Sequence, residues 1–171
     1  NIVKWRPAHE EKVLKSGVST AIVIRPGHVY GYGGGLIGMM FGAASKGTLS
    51  IAGNGENYWS MVHAEDLANL YLLALEKGIS KVVLNATDSA AIKVKEIAEG
   101  TARLTGCKVR YLPLEESFKQ FGPLAEGLAV NQKVASKQAA QILSWRPRHD
   151  NFLKEIENYW NAWKALHELV K

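Results

Sequence analysis

The sequence predicts an α/β protein: the end of a parallel sheet joined to a smaller, helix-rich region. Up to Leu112, apolar β-branched runs alternate with helical patterns, the order that builds parallel sheets. From Leu114 onward, helical patterns follow one another with no strand between them. With 171 residues, 47% of them hydrophobic and 22% charged, the chain has the size and composition of one domain with a sizeable core.

The elements follow in order. Pro7 to Lys15 reads as a short helix, with proline at its start, Val13 and Leu14 on one side, and Ser16-Gly17 closing it. In VSTAIVIR, the nearly unbroken apolar run through Val18, Ala21, Ile22, Val23 and Ile24 is that of a central strand covered on both faces. A loop then leads to Leu36–Ser45, apolar and helical despite the helix-weakening Gly38 and Gly42. TLSIA gives a short strand, and Tyr58 to Val62 a second extended piece after a glycine turn. The helix that follows places Leu67, Leu70, Tyr71, Ala74 and Leu75 on one buried face. Glu65 and Asp66 oppose its dipole at the start, and Gly78 ends it. VVLNATD is a strand, IKVKEIAEGTARLTG a helix, and VRYLPL a half-buried strand. LEESFKQF, LAEGLA and KQAAQIL are helical. The last segment sets Phe152, Ile156, Tyr159, Trp160, Trp163 and Leu166 on one stripe, read as core.

Composition excludes several classes. No stretch approaches the roughly 20 apolar residues of a membrane span, and NIVKWRPAHEEK lacks the apolar core of a signal peptide. A cytoplasmic or otherwise intracellular protein with no membrane partner is expected. Cys107 is the single cysteine; it forms no internal disulfide and reads as a structural thiol. A net charge of +5 suits anionic partners, but acids are scattered among the lysines and arginines, so a mixed surface is expected and nucleic acid is not. No His, Cys, Asp or Glu cluster has metal-ligand spacing along the chain, and no metal is expected. The chain starts at Asn rather than Met and enters a helical pattern almost at once, which suggests the inside of a longer protein.

The densest glycine run is RPGHVYGYGGGLIG, Arg25 to Gly38. Gly33, Gly35 and Gly38 fit G-x-G-x-x-G, yet a dinucleotide fingerprint follows its strand at once. Here the strand ends near Arg25, and Pro26 and HVYGY intervene. Glu56, near the distance of a ribose ligand, sits in a glycine turn rather than at a strand end.

The whole stretch fits a different pattern. RPGHVYG resembles the R-P-x-x-V-Y-G segment of extended short-chain dehydrogenase/reductases, the NAD-dependent epimerase/dehydratase family. GNGENYWSMVHAEDLANLYLLAL resembles that family's substrate-loop strand and V-H-x-x-D-L-A helix, and SKQAAQILSWRP its late S-x-x-A-x-x-x-L-x-W-x-P segment. The resemblance spans residues 5 to 150. It implies the C-terminal part of a Rossmann-like fold: residues 1–34 and 64–90 end that domain, and residues 35–63 and 91–171 form mostly a substrate-binding cap. The nucleotide fingerprint then belongs to an N-terminal half. NAD or NADP is the implied cofactor of the intact protein, with Pro26, Gly27, His28 and Val29 beside its nicotinamide end. His28, Tyr30, Tyr58, Trp59 and His63 are the implied substrate-pocket residues, and the glycines after Tyr30 carry a mobile loop.

The family's Tyr-x-x-x-Lys pair lies one helical turn apart, before the RP strand. In WRPAHEEK, Trp5 stands at the Tyr position and His9 at the Lys position. An indole N–H cannot take the phenol's part in proton exchange, so the catalytic assignment falls to His9, whose ordinary pKa lies near neutrality. The resemblance implies an epimerase, dehydratase or reductase acting on a small hydroxyl- or carbonyl-bearing substrate, nucleotide sugars included. A homodimer is an expected assembly. The alternatives are a nucleotide-sensing or scaffolding member without chemistry, and an RNA-binding relative. Each named residue also has a structural alternative: a surface position for His9, a helix cap for His63, core packing for Trp59, and helix support for Asp66.

Overall fold

The computed structural model describes residues 3–88 and 90–168. Strand β1 (Ile22–Pro26) pairs in parallel with β5 (Val82–Ala86), Ile22 opposite Val82 and Pro26 opposite Ala86. Helix α1 (Arg6–Lys15) packs beside β1, while α3 (Ala64–Glu76) and α7 (Lys137–Leu143) enclose a core of Val62, Leu70, Ala74, Leu84, Leu143 and Trp145. This layer holds the parallel pairing that the apolar runs predict.

The second layer is built from two smaller sheets. Strand β2 (His28–Tyr30) pairs in parallel with β4 (Tyr58–His63), which pairs antiparallel with β6 (Ala91–Lys93). Strand β3 (Thr48–Ala52) pairs in parallel with β7 (Lys108–Leu112). Around them lie α2 (Gly35–Ala44), α4 (Val94–Thr105), α5 (Leu114–Phe121), α6 (Leu124–Ala129) and α8 (Ile156–Glu168). Their shared core holds Phe41, Leu49, Trp59, Ile97, Phe152 and Trp163.

The structure corrects four local expectations. His28–Tyr30, read as loop, is a strand, because it finds Met61–His63 alongside. The helix read from Ile92 starts at Val94, since Ile92 instead lies opposite Trp59 in β6 and is buried there. On α3 the buried positions are Asp66, Leu70 and Ala74; Tyr71 and Leu75 are exposed, because the helix is covered mainly by β4 and α7. The aromatic stripe is split, with Phe152 in a separate 3₁₀ turn (Phe152–Lys154) and Leu166 exposed at the far end of α8.

The glycine run has a steric role in this packing. Gly33 adopts φ +69°, a conformation costly for other residues, and Trp163 of α8 lies against it. A Cβ at Gly38 would collide with the Gly33 carbonyl.

Candidate active site

In open α/β sheets, ligands bind outside the carboxyl ends of the parallel strands. Here those ends are Pro26 and Ala86. The chain leaves β1 through Gly27, whose N–H donates to the Ala86 carbonyl at 2.9 Å. A Cβ at Gly27 would strike the Ser60 carbonyl of β4 and stand 3.1 Å from the Thr87 methyl. Glycine is thus what lets the two layers meet at this point. Beside it, hydroxyl groups tie residues 132–136 to the strand ends. Thr87 Oγ1 donates to the Val134 carbonyl at 2.9 Å, Ser136 Oγ donates to the Thr87 carbonyl at 2.9 Å, and Val134 N–H donates to Ser60 Oγ at 2.8 Å.

His28 is the first residue of β2. Its ring centroid lies 4.6 Å from that of Trp59, tilted by 42°. Its Nε2 is buried and has no hydrogen-bond partner among the described residues. Burial lowers its pKa, so the neutral imidazole is the form favoured at neutral pH. A buried polar atom left unpaired in a native fold calls for an explanation, and a ligand is one. Val29, next along, is exposed.

Tyr30 is fully buried, with edge contacts to His63, Phe152 and Tyr159. Burial, followed by the charges of Asp88, Asp66 and Glu155, raises its pKa, so it holds its proton. Its ring is therefore placed in the core.

Asp88 went unnoticed in the sequence. It stands two residues beyond the end of β5, is buried, and donates its N–H to the Met61 carbonyl at 2.6 Å. Met61 is also the register partner of His28, so both residues flank the same point of β4. Asp88 Oδ1 accepts the Ala90 N–H at 3.2 Å, while Oδ2 has no partner among the described residues. Burial above all pushes its pKa up to about 7, which suits proton transfer near neutrality. The available signal was positional: an acid two residues beyond the carboxyl end of an apolar strand.

The other expected residues go to four different places. Tyr58 lies on the surface of β4 with the Lys133 ammonium 3.7 Å from its ring centroid. Trp59 is buried, and its indole N–H donates to the Leu128 carbonyl at 3.1 Å. His63 caps α3, with Nδ1 accepting the Glu65 N–H at 3.2 Å. Its ring stacks on His149 at 3.7 Å. His9 is exposed on α1, with Nδ1 3.0 Å from the Trp5 carbonyl. Arg6, Pro7 and Glu10, rather than His9, line the shallow cleft beside Pro26, and Glu10 pairs with Arg25.

His63, Glu65 and His149 have no metal-ligand spacing along the chain, and the fold brings their ligand atoms within 4.8 Å of one another. Hydrogen bonding accounts for this group without an ion. With Nδ1 accepting the cap bond, the neutral His63 ring carries its proton on Nε2 and offers no lone pair there. Burial, then His149, lowers the His63 pKa. Burial opposes charge on His149 as well, but its Glu155 hydrogen bond at 3.0 Å and the charges of Asp66, Glu155 and Glu65 raise its pKa overall.

Residues 10–86 match the NAD dependent epimerase/dehydratase family. Over that stretch, just under half of its length, the chain is similar to the epimerase/dehydratase family. It is 33% identical over 147 residues to an uncharacterised protein, C2A9.02, of Schizosaccharomyces pombe, covering 85% of this chain and 50% of that protein. The human epimerase family protein SDR39U1 (isoform 2), solved with NADPH, superposes with a TM-score of 0.71 at 24% identity over 83% of this chain and 48% of that one. A UDP-glucose 4-epimerase of Thermotoga maritima, solved with UDP-glucose, gives 0.71 at 20% identity over 94% and 50%. Such structural likeness establishes the Rossmann-like fold. The chain spans about half the length of the curated relatives it matches first. No helix of the described residues is long and apolar enough to cross a membrane.

Proposed function

We propose that this chain is the substrate-side half of an NAD(P)-dependent oxidoreductase, epimerase or dehydratase acting on a small hydroxyl- or carbonyl-bearing molecule. The observation that carries the reading is the unpaired Nε2 of His28. It lies two residues beyond the carboxyl end of β1, where the family resemblance puts the nicotinamide. The residues present fit that group. Gly27 brings the backbone close, His28 offers a buried polar atom, and Val29 presents an exposed apolar face. NAD or NADP would supply the hydride. Pro26 to Val29 would hold the nicotinamide end, with the pyrophosphate bound by polypeptide N-terminal to this chain. His28 would accept a hydrogen bond, and Asp88, its pKa pushed up to about 7, would exchange a proton near neutrality.

His9 keeps the place of the family's lysine. Its hydrogen bond to the Trp5 carbonyl and the edge contact of the two rings at 5.1 Å favour a second reading, in which the α1 position is structural and the protein binds nucleotide without turnover. Titrating full-length protein with NADH and NADPH, then following cofactor oxidation with aldehydes and ketones, separates the two. Binding with turnover supports the enzyme reading. Binding without turnover supports the second, and the absence of any binding removes both.

A further inference from the structure

The second layer contains a cavity of about 180 Å³ between α2, β3, α5 and α6. Its apolar walls include Leu36, Met39, Met40, Ile51, Trp59 and Leu128, and no charged side chain lines it among the described residues. Leu49, Ile51, Trp59 and Leu128 form its buried floor, while Met39, Thr48 and Gln120 are exposed at its rim. Trp59 belongs to two places at once: it walls the cavity and its ring touches His28. The cavity therefore adjoins the proposed reaction site through one side chain.

The lining decides what chemistry fits. A nucleoside diphosphate brings negative charge, which proteins recognise with arginine, lysine or free N–H groups. A charge buried without such partners is costly. The indole N–H of Trp59, the polar hydrogen on the floor, is already given to the Leu128 carbonyl. What remains is an apolar space with Thr48 and Gln120 at its exposed rim and the half-buried Ser50 in its lining. An apolar protein cavity of roughly 150 Å³ binds benzene, so this one has the size for a single ring.

We infer that this cavity holds the apolar body of an uncharged carbonyl or alcohol substrate about the size of one six-membered ring, and that it does not hold a nucleotide sugar. Thr48, Ser50 and Gln120 orient the substrate's polar group, and Trp59 sets its distance from His28. This deepens the function proposed above, and rests on it only for the identity of the ligand as substrate.

Methionine methyl resonances test it. Met39 and Met40 line the cavity, whereas Met61, buried in β4, does not line it and serves as an internal reference. Full-length protein labelled with ¹³C at the methionine methyls is titrated with acetophenone and, separately, with UDP-glucose. The inference expects acetophenone to shift the Met39 and Met40 methyls saturably, Met61 to stay in place, and UDP-glucose to shift neither. Ala43→Phe, which fills the cavity, is expected to weaken acetophenone binding by about tenfold or more with the Met61 resonance kept. Met39→Lys, at the exposed rim, gives a second variant that leaves the core intact and weakens the same titration. Saturable shifts of Met39 and Met40 with UDP-glucose, or no shift of either with acetophenone, overturn it. Cofactor binding is read separately by NADPH fluorescence. Acetophenone shifts without NADPH binding would sink the proposed function and leave the cavity's ligand class standing; NADPH binding without acetophenone shifts would do the reverse.

Discussion

The imidazole of His28 and the indole of Trp59 are in contact, 4.6 Å between centroids, and they join two parts of the molecule. His28 opens the strand that leaves the parallel pair; Trp59 walls an apolar cavity. The indole spends its N–H on Leu128, while the imidazole keeps a nitrogen unpaired among the described residues. One ring is fixed by the fold, and the other is left to meet something that the fold does not supply.

If the unpaired nitrogen serves a ligand, removing it should harm function without harming the fold. His28→Phe in the full-length protein is expected to lower kcat by about 10²-fold, the lower end for a positioned proton-handling group. The melting temperature should hold or rise, since a buried polar atom without a partner is lost. Steady-state turnover and thermal unfolding measured on the same preparation check both halves. Unchanged turnover would remove His28 from the site.

Asp88 predicts a pH dependence of stability. Its folded pKa, pushed up to about 7 by burial, exceeds the ordinary carboxylate value. The folded state thus binds the proton more tightly than the unfolded chain. This contribution is fully present below about pH 4 and is lost as pH rises to about 7. Asp88→Asn keeps an acceptor for the Ala90 N–H and carries no charge. It should therefore gain on the native protein by about 2–4 kcal/mol between pH 4 and pH 8, read from urea midpoints across that range. A difference independent of pH would contradict the raised pKa.

Gly27→Ala puts a methyl group into the Ser60 carbonyl. Backbone rather than a flexible side chain is in the way, so the layers must separate locally. The expected loss is about 1–3 kcal/mol, with a weaker cofactor affinity in the full-length protein as Pro26–Val29 shifts. Chemical denaturation and NADPH titration report the two effects, and a neutral substitution would show that the layers do not meet here.

Asp66 is buried, and its two carboxylate oxygens accept the N–H groups of Arg148 and His149 at 2.9 Å each. Trp145 donates to its carbonyl at 3.0 Å. Asp66→Ala leaves two backbone donors without a partner and is expected to cost about 2–4 kcal/mol. In hydrogen exchange, the amides of Arg148 and His149 should lose protection first. Full retention of that protection would show that the carboxylate is dispensable.

What could be read from the sequence followed from periodicity. The apolar run Ile22–Ile24, the helical repeat through Leu70 and Ala74, and the run from Val82 each settle their own element within a few residues. Strands β2 and β6 have three residues each and exist because β4 lies between them; nothing within three residues announces a distant partner. The same holds for the polar groups. The cap made by His63 to Glu65 is local, and the sequence offers it. The pairing of His149 with Glu65, and of Asp66 with the Arg148 and His149 amides, joins residues more than eighty positions apart. His28 was visible through a family pattern, but its unpaired nitrogen was not, because burial depends on Trp59 and on the folding of β4 over Gly27.

The central claim concerns where the cofactor's reactive end sits, and nuclear Overhauser transfer from the nicotinamide H4 of bound NADP⁺ or NAD⁺ in the full-length protein measures it directly. Cross-peaks to the Val29 methyls and the His28 ring protons are predicted. A bound cofactor whose nicotinamide instead contacts the Met39 methyl or the Trp163 ring, beside the glycine turn, would contradict it.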